Sequence, residues 1–189
     1  IINIINKKGP KDVREQQRKV DNAEALVFIS PVWFVGFPAI LKGWIERVFT
    51  LGFAFSLTSP GWHGDIRGRI PRLTHEKELI INTTIFNEQA YNDGLKNAMT
   101  KLIDEFAFHY PGIKTVEHEY FHAVNMADEK PLKGYLERAY QMGKEFTNKK
   151  FEVRMPSIKK TIAATVRLKN WFISKFYCYV SFIIVYTSN

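Results

Sequence analysis

One continuous apolar segment, residues 25–55, constrains the fold of this chain more than any other part of its sequence. It begins with an unbroken apolar run from Ala25 to Ser30, which predicts a parallel strand buried on both faces. Pro38 stands where the first turn of a helix tolerates proline, and the apolar residues after it recur at helical spacing. The segment therefore predicts a strand, a loop and an amphipathic helix. The apolar side of that helix is formed by Ile40, Leu41, Trp44, Ile45, Val48 and Phe49.

The rest of the chain continues this alternation. The predicted elements after the first helix are a strand over 77–84, a helix over 95–108, a strand over 115–124 and a helix over 131–148. Asp93 is predicted to cap the helix over 95–108, and Pro111 with Gly112 marks a chain break after it. Residues 57–74 are rich in Gly, Pro and Arg and are expected to form a long surface loop. Strands that alternate with helices predict an α/β fold with a parallel sheet covered on both faces.

The loop after the first strand is the main candidate for a ligand site. Open α/β sheets bind ligands outside the carboxyl ends of their strands. The loop displays Trp33 and Phe34 between Pro31 and Pro38, so it is stiff, apolar and flat-faced. Such a surface suits a planar aromatic ring.

The stretch from Pro31 to Trp44, continued by Glu46 to Phe49, resembles the flavin-contacting loop of the NAD(P)H:quinone oxidoreductases, which are flavodoxin-like flavoproteins. The resemblance extends over roughly residues 20–148. It implies a flavodoxin-like, doubly wound parallel sheet for a domain over residues 1–150. Residues 151–189, basic and then apolar, are expected to form a tail with no counterpart in that family.

The resemblance also implies the site residues. The predicted flavin-binding residues are Pro31, Val32, Trp33, Phe34 and Val35 in the first loop, and Thr83, Thr84, Ile85 and Phe86 after the next strand. Tyr91 follows at the spacing that the family uses for an active-site tyrosine, so it is the catalytic candidate. Where this chain has Trp33, the family often has Gln, and where it has Ile85 and Phe86, many members have two glycines.

The activity implied by the resemblance is NAD(P)H-dependent, flavin-mediated reduction of quinones or similar acceptors by ping-pong hydride transfer. The expected cofactor is FAD, with FMN as the alternative, and NAD(P)H is the co-substrate. A cytoplasmic homodimer is expected. The helix from Ala39 to Phe49 and the 57–74 loop are its candidate contacts.

The sequence departs from the family pattern near its first residues. Flavodoxin-like sheets have five strands in the order 2-1-3-4-5, and the three strands predicted here correspond to the last three. Lys7 to Pro10 is not the turn that presents backbone N–H groups to a phosphate. The domain is therefore expected to lack the first strands and the phosphate loop, and its first strand to lie at an unprotected edge that favours aggregation. A truncated, non-catalytic flavodoxin-like protein is the alternative interpretation.

Composition excludes several other classes. The single cysteine, Cys178, rules out an internal disulfide, and the five histidines show no metal-ligand spacing, so no metal site is expected. The net charge of +8 is spread along the chain without a nucleic-acid-binding pattern. Residues 171–187 are apolar but shorter than the roughly twenty residues of a membrane span, so no membrane partner is expected. Membrane association of this tail is the alternative.

Overall fold

The computed structural model describes residues 9–148 and 182–186. Strands and helices alternate along the chain as predicted, and Ile66–Gly68 forms a short 3₁₀ turn. The elements in chain order are α1 (Lys11–Asp21), β1 (Ala25–Pro31), α2 (Ala39–Val48), β2 (Phe55–Leu57), α3 (Ser59–Trp62), β3 (Arg69–Pro71), β4 (Lys77–Thr83), α4 (residues 88–109), β5 (Thr115–Phe121), α5 (Glu129–Asn148) and β6 (Phe182–Tyr186).

The main sheet has the order β5-β4-β1-β6. Strands β1 and β4 run parallel, with Ala25 opposite Lys77 and Pro31 opposite Thr83. Strand β5 is parallel to β4 on its other side. The carboxyl ends of β1, β4 and β5 therefore meet at one edge, which confirms the predicted parallel α/β sheet and brings the predicted site loops to one place.

Strand β6 covers the outer edge of β1. It pairs antiparallel, with Ala25 opposite Tyr186 and Ile29 opposite Phe182. The expectation that the β1 edge lies unprotected is therefore wrong. The sequence of β6, FIIVY, is rich in the β-branched and aromatic residues that favour strands, although these residues were expected to belong to a tail. The predicted features of residues 1–8 and of most of the tail lie outside the described residues.

Each face of the main sheet carries a hydrophobic core. The larger core lies under α1, α2 and α4 and contains Phe28, Ile80 and Phe108, all completely buried. The smaller core lies under α5, where Met142 and Phe146 pack with Leu79, Ile81 and Phe121. Helices cover both faces, as the alternating sequence predicts. No helix in the described ranges is long and apolar enough to cross a bilayer.

Two segments differ from the sequence-based prediction. Helix α4 begins at Glu88 because the side chain of Asn87 accepts a hydrogen bond from the N–H of Ala90 at 3.1 Å. Asp93, the predicted cap, lies inside α4 and accepts a hydrogen bond from Gln89. Gly94, at φ 137°, interrupts the helical geometry. The 57–74 region is also not a loop throughout, because α3 and β3 lie within it and β3 pairs antiparallel with β2, which ends at Leu57.

Candidate functional site

Three loops leave the carboxyl edge of the main sheet, after β1, β4 and β5, and backbone hydrogen bonds join them into one platform. The loop after β1 is bonded to the end of β4, and the loop after β4 is bonded to the loop after β5. The N–H of Val32 donates to the carbonyl of Thr83 at 2.8 Å, and the N–H of Thr84 donates to the carbonyl of Phe121 at 2.9 Å. The N–H of Ala123 donates to the carbonyl of Phe86 at 2.9 Å, and the N–H of Val124 donates to the carbonyl of Thr84 at 3.1 Å. The two predicted flavin-binding patches therefore lie side by side.

The loop after β1 contains a tight turn from Trp33 to Gly36. The N–H of Trp33 donates to the carbonyl of Gly36 at 2.9 Å, and the N–H of Gly36 donates back at 3.0 Å. Both central residues have positive φ, 47° at Phe34 and 59° at Val35. This is the pattern of a type I′ turn, which normally takes Asn or Gly at these positions. A β-branched residue in this region is strained, and such strain concentrates at functional sites.

The tip of this turn faces outward with unused donors. Phe34 is fully exposed and Val35 is exposed on its side chain. Within residues 9–148 and 182–186, no backbone hydrogen bond uses the N–H of Phe34 or Val35. Ile85 and Phe86 in the neighbouring loop are also exposed. The platform thus combines apolar surface with two N–H groups that lack a backbone partner in the described part of the chain, a set that fits the flat face and the acceptor atoms of an isoalloxazine ring.

We expect Val35→Gly to raise the free energy of unfolding by about 1 kcal/mol. Glycine adopts positive φ without the Cβ clash that costs roughly 1–2 kcal/mol in the left-handed region, and the exposed Val35 side chain contributes little burial. Chemical denaturation followed by circular dichroism measures the change. Val27→Gly in β1 is the control, and it should destabilise the chain because β1 has extended geometry. A loss of stability in Val35→Gly would show that the turn is not strained.

The threonines of the second patch have different positions. Thr83 is partly exposed, whereas Thr84 is buried. The Thr84 hydroxyl accepts a hydrogen bond from the N–H of Phe86 at 3.1 Å, and this bond shapes the loop. Thr84 therefore holds the backbone that presents Ile85 and Phe86. The predicted flavin contact of its hydroxyl stays a prediction.

Tyr91, the catalytic candidate, lies below the platform with 2% of its surface exposed. Its ring packs 4.8 Å from the ring of Tyr120 and 4.8 Å from that of His122. Burial raises the pKa of the Tyr91 phenol, and the nearby Thr84 side chain offsets part of that shift. The contact with Thr84 does not reach hydrogen-bond geometry. No described contact brings the phenol to the exposed turn, so its catalytic role stays a prediction.

A buried polar chain beneath the platform was missed by sequence reasoning. The carboxamide of Asn82 donates to the carbonyl of Ser30 at 3.1 Å and contacts its hydroxyl at 3.0 Å. The Asn82 oxygen lies 2.9 Å from Nε2 of His118, whose Nδ1 lies 2.7 Å from Oδ1 of Asp104. The available signal was a polar residue near the end of each of two apolar strands, Ser30 in β1 and Asn82 in β4.

Glu78 lies on the same face of β4 as Asn82 and is completely buried. Neither of its carboxyl oxygens has a hydrogen-bond partner in the described part of the chain. Burial raises the pKa of Glu78 well above its ordinary value of 4.5, and the charge of Asp104 raises it further. The folded protein therefore holds this proton more tightly than the unfolded chain does.

This shift gives a pH-dependent prediction. As pH rises above 4.5, the unfolded carboxyl ionises while the folded one stays neutral, so Glu78 makes the folded state progressively less stable up to its folded pKa. Glu78→Met should remove this slope and raise the free energy of unfolding at pH 8 by about 1–3 kcal/mol, because it also removes two unpaired buried oxygens.

Urea denaturation of both proteins at pH 5 and pH 8 measures the effect. The matched control is Glu76→Met, because the Glu76 side chain is exposed and pairs with Lys114 at the surface. This control should change stability by less than about 0.5 kcal/mol. The same pH dependence in Glu78→Met and the parent protein would contradict the assignment.

The fold and the platform define a doubly wound α/β protein of the flavodoxin type. The comparison with known protein families agrees: residues 5–141 match the family described by a flavodoxin-like fold. Because this match covers more than half of the chain, the chain belongs to that family. The resemblance inferred from residues 31–49 is therefore confirmed at the level of the family and of the fold.

Individual relatives are similar over part of their length. An uncharacterized NAD(P)H oxidoreductase of Haemophilus influenzae is 27% identical over 132 residues, which are 70% of this chain and 62% of the relative. The NAD(P)H dehydrogenase [quinone] 1 of Cavia porcellus is 33% identical over 110 residues, 56% of this chain and 38% of the relative. Among solved structures, an NAD(P)H:quinone oxidoreductase from Methanothermobacter marburgensis gives a TM-score of 0.63 at 28% identity, with 71% of this chain and 64% of that chain covered. The chain thus spans less than two thirds of each of these proteins.

Proposed function

We propose that this chain is a flavin-dependent NAD(P)H oxidoreductase of the quinone-reductase type. The observation that carries the proposal is the exposed turn from Trp33 to Gly36 at the carboxyl edge of an open parallel sheet, where two N–H groups make no backbone hydrogen bond to any described residue. That edge is where sheets of this type bind their ligands. Similarity to proteins named as NAD(P)H oxidoreductases and quinone dehydrogenases supports the choice of reaction.

The residues of the platform would divide the work of holding a flavin ring. The N–H groups of Phe34 and Val35 would donate to acceptor atoms on the ring edge, while Phe34, Ile85 and Phe86 would supply apolar contact. When bound, the flavin would accept a hydride from NAD(P)H and pass it to a quinone-like acceptor. The protein would orient the ring and exclude water from one of its sides. FAD is the proposed flavin and FMN the alternative.

The proposal extends to assembly and location. We propose a homodimer in the cytoplasm, with α2 and residues 57–74 as the contacting surfaces. Exposed apolar side chains on these elements, Ile40 on α2 together with Trp62 and Ile66 in the 57–74 region, support this placement. Analytical ultracentrifugation of the purified chain measures the assembly state.

One observation favours a second candidate, a flavodoxin-like protein without catalytic activity. Tyr91, the residue at the position of the family's active-site tyrosine, is buried at the base of an aromatic cluster rather than presented at the platform. No described contact places that phenol against the exposed surface of the turn. A chain that binds flavin but does not oxidise NAD(P)H would support this candidate.

The deciding experiment is a titration of the purified chain with FMN and with FAD, followed by tryptophan fluorescence and flavin absorbance. Phe34→Ser is the site variant, and Leu102→Ser, which also removes an exposed apolar side chain, is the matched control. We expect stoichiometric binding, weakened about tenfold in Phe34→Ser alone, since about 1.4 kcal/mol of lost contact corresponds to that factor. Anaerobic addition of NADH or NADPH then tests bleaching of the bound flavin. Failure of the parent chain to bind either flavin would refute the proposed function.

A further inference from the structure

We propose that Asp104 and His118 are positioning residues that hold the Trp33–Gly36 turn in place through Asn82 and Ser30. The proposal deepens the function proposed above and rests on it for its link to flavin. The four residues form one hydrogen-bonded chain from α4 across β5 and β4 to the end of β1. None of them contacts the exposed surface of the turn, so their action is indirect.

The direction of hydrogen-bond donation is defined between His118 and Ser30. The carbonyl of Ser30 can only accept, so Asn82 must turn its NH₂ group towards it and its oxygen towards His118. Nε2 of His118 must then carry a proton. Asp104 holds the other ring nitrogen at 2.7 Å, and the hydroxyl of Tyr120 lies 3.1 Å from the same atom. The imidazole is thereby oriented from both sides.

Burial strengthens the hydrogen bonds that link these four residues. Ser30, Asn82 and Asp104 are all buried, and only 4% of the His118 side chain is exposed. Hydrogen bonds in such surroundings are electrostatically stronger than in water, and a buried polar group that loses its partner destabilises the fold. These hydrogen bonds therefore oppose local opening of the backbone at the end of β1.

The end of β1 needs this support. Ser30 lies opposite Asn82 in the strand register, and Pro31, which follows, has no N–H to donate to the sheet. The next backbone bond, from Val32 to the carbonyl of Thr83, leads directly into the turn. Strained residues persist only where their surroundings over-determine them. The hydrogen bonds from Asn82 to Ser30 supply that restraint close to the positive-φ residues Phe34 and Val35.

The test uses hydrogen exchange in the flavin-free full chain and flavin titration beside it. His118→Leu removes the donor to Asn82, whereas His118→Gln keeps an N–H at the position of Nε2. Phe146→Leu, in the other core, serves as a control for general loss of stability. The amides followed are those of Val32, Trp33 and Gly36, which form the backbone bonds of the turn.

We expect His118→Leu to speed exchange of these three amides at least tenfold relative to Phe146→Leu and to weaken flavin binding by about tenfold. His118→Gln should restore both to within about threefold of the parent chain. Equal exchange in His118→Leu and Phe146→Leu would overturn the proposal. If His118→Leu does not fold, Asp104→Ala, which removes the oxygen that contacts Nδ1 of His118, replaces it, and exchange equal to that of Phe146→Leu then overturns the proposal.

The two readouts separate this inference from the proposed function. If His118→Leu exchanges faster but the parent chain binds no flavin, the proposed function is refuted and the positioning role of His118 and Asp104 is upheld. Flavin binding by the parent chain, with unchanged exchange and affinity in His118→Leu, would uphold the proposed function and refute the positioning role of His118 and Asp104.

Discussion

Replacing Phe108 with alanine is expected to lower the free energy of unfolding by about 3–5 kcal/mol, the usual cost of deleting a buried aromatic ring. Phe108 is completely buried in the larger core. Its ring lies 5.0 Å from that of Phe28 and 6.1 Å from those of Phe37 and Phe49. These rings belong to β1, to the loop before α2 and to the end of α2, so one cavity would loosen three segments at once.

This variant also links the core to the site. Phe37 follows the Trp33–Gly36 turn directly, so loss of its ring contact should weaken flavin binding as well as stability. Urea denaturation monitored by circular dichroism measures the first effect, and the flavin titration measures the second. Phe106→Ala is the control on the same helix, because Phe106 is 42% exposed and should cost under about 1 kcal/mol. Equal losses in the two variants would show that Phe108 is not the centre of the core.

Gly112→Ala is expected to destabilise the chain by about 3 kcal/mol or more, because two penalties act together. Gly112 has φ 125°, which an L side chain rarely adopts. A Cβ there would overlap the carbonyl oxygen of Leu73 and stand 3.0 Å from Cβ of Pro71. Leu73 cannot retreat freely, because its N–H is bonded to the carbonyl of Pro111 at 3.0 Å.

Thermal and urea denaturation of Gly112→Ala measure this loss. The matched control is Gly43→Ala in the interior of α2, where an added Cβ meets no atom within 4 Å. Alanine there should stabilise the chain by about 0.5–1 kcal/mol, since glycine is a poor helix former. A Gly112→Ala protein as stable as the parent would mean that the turn before β5 adapts without cost.

Much of the fold could be predicted from local sequence. Strand β1 runs over Ala25–Pro31 and β4 over Lys77–Thr83, within one residue of the prediction, because long apolar runs predict buried parallel strands. The start of α4 could not be placed as well, since Asn87 and Asp93 are both good helix caps and only the folded chain shows which one is used. Strand β6 escaped prediction because its pairing with β1 depends on contacts far apart in sequence.

The sequence indicated the loops that form the candidate site, but not the contacts that support them. Aromatic residues between two prolines, together with the family resemblance, indicated the loop that contains Trp33 and Phe34. Its positive-φ turn could not be predicted, because neither Phe34 nor Val35 is a residue type that favours that conformation. The contact between Ser30 and Asn82 requires the register of β1 against β4, which a single strand pattern does not contain.

The pairing of β6 with β1 has a consequence for how the protein is made. Ala25 meets Lys77 on one side and Tyr186 on the other, so its second partner is synthesised roughly 110 residues after its first. At translation rates of about 5–20 residues per second, the outer edge of β1 stays open for roughly 5–20 s after β4 has been synthesised. Nascent chains halted before residue 182 would carry an open strand edge, which makes them targets for chaperones and candidates for co-translational aggregation.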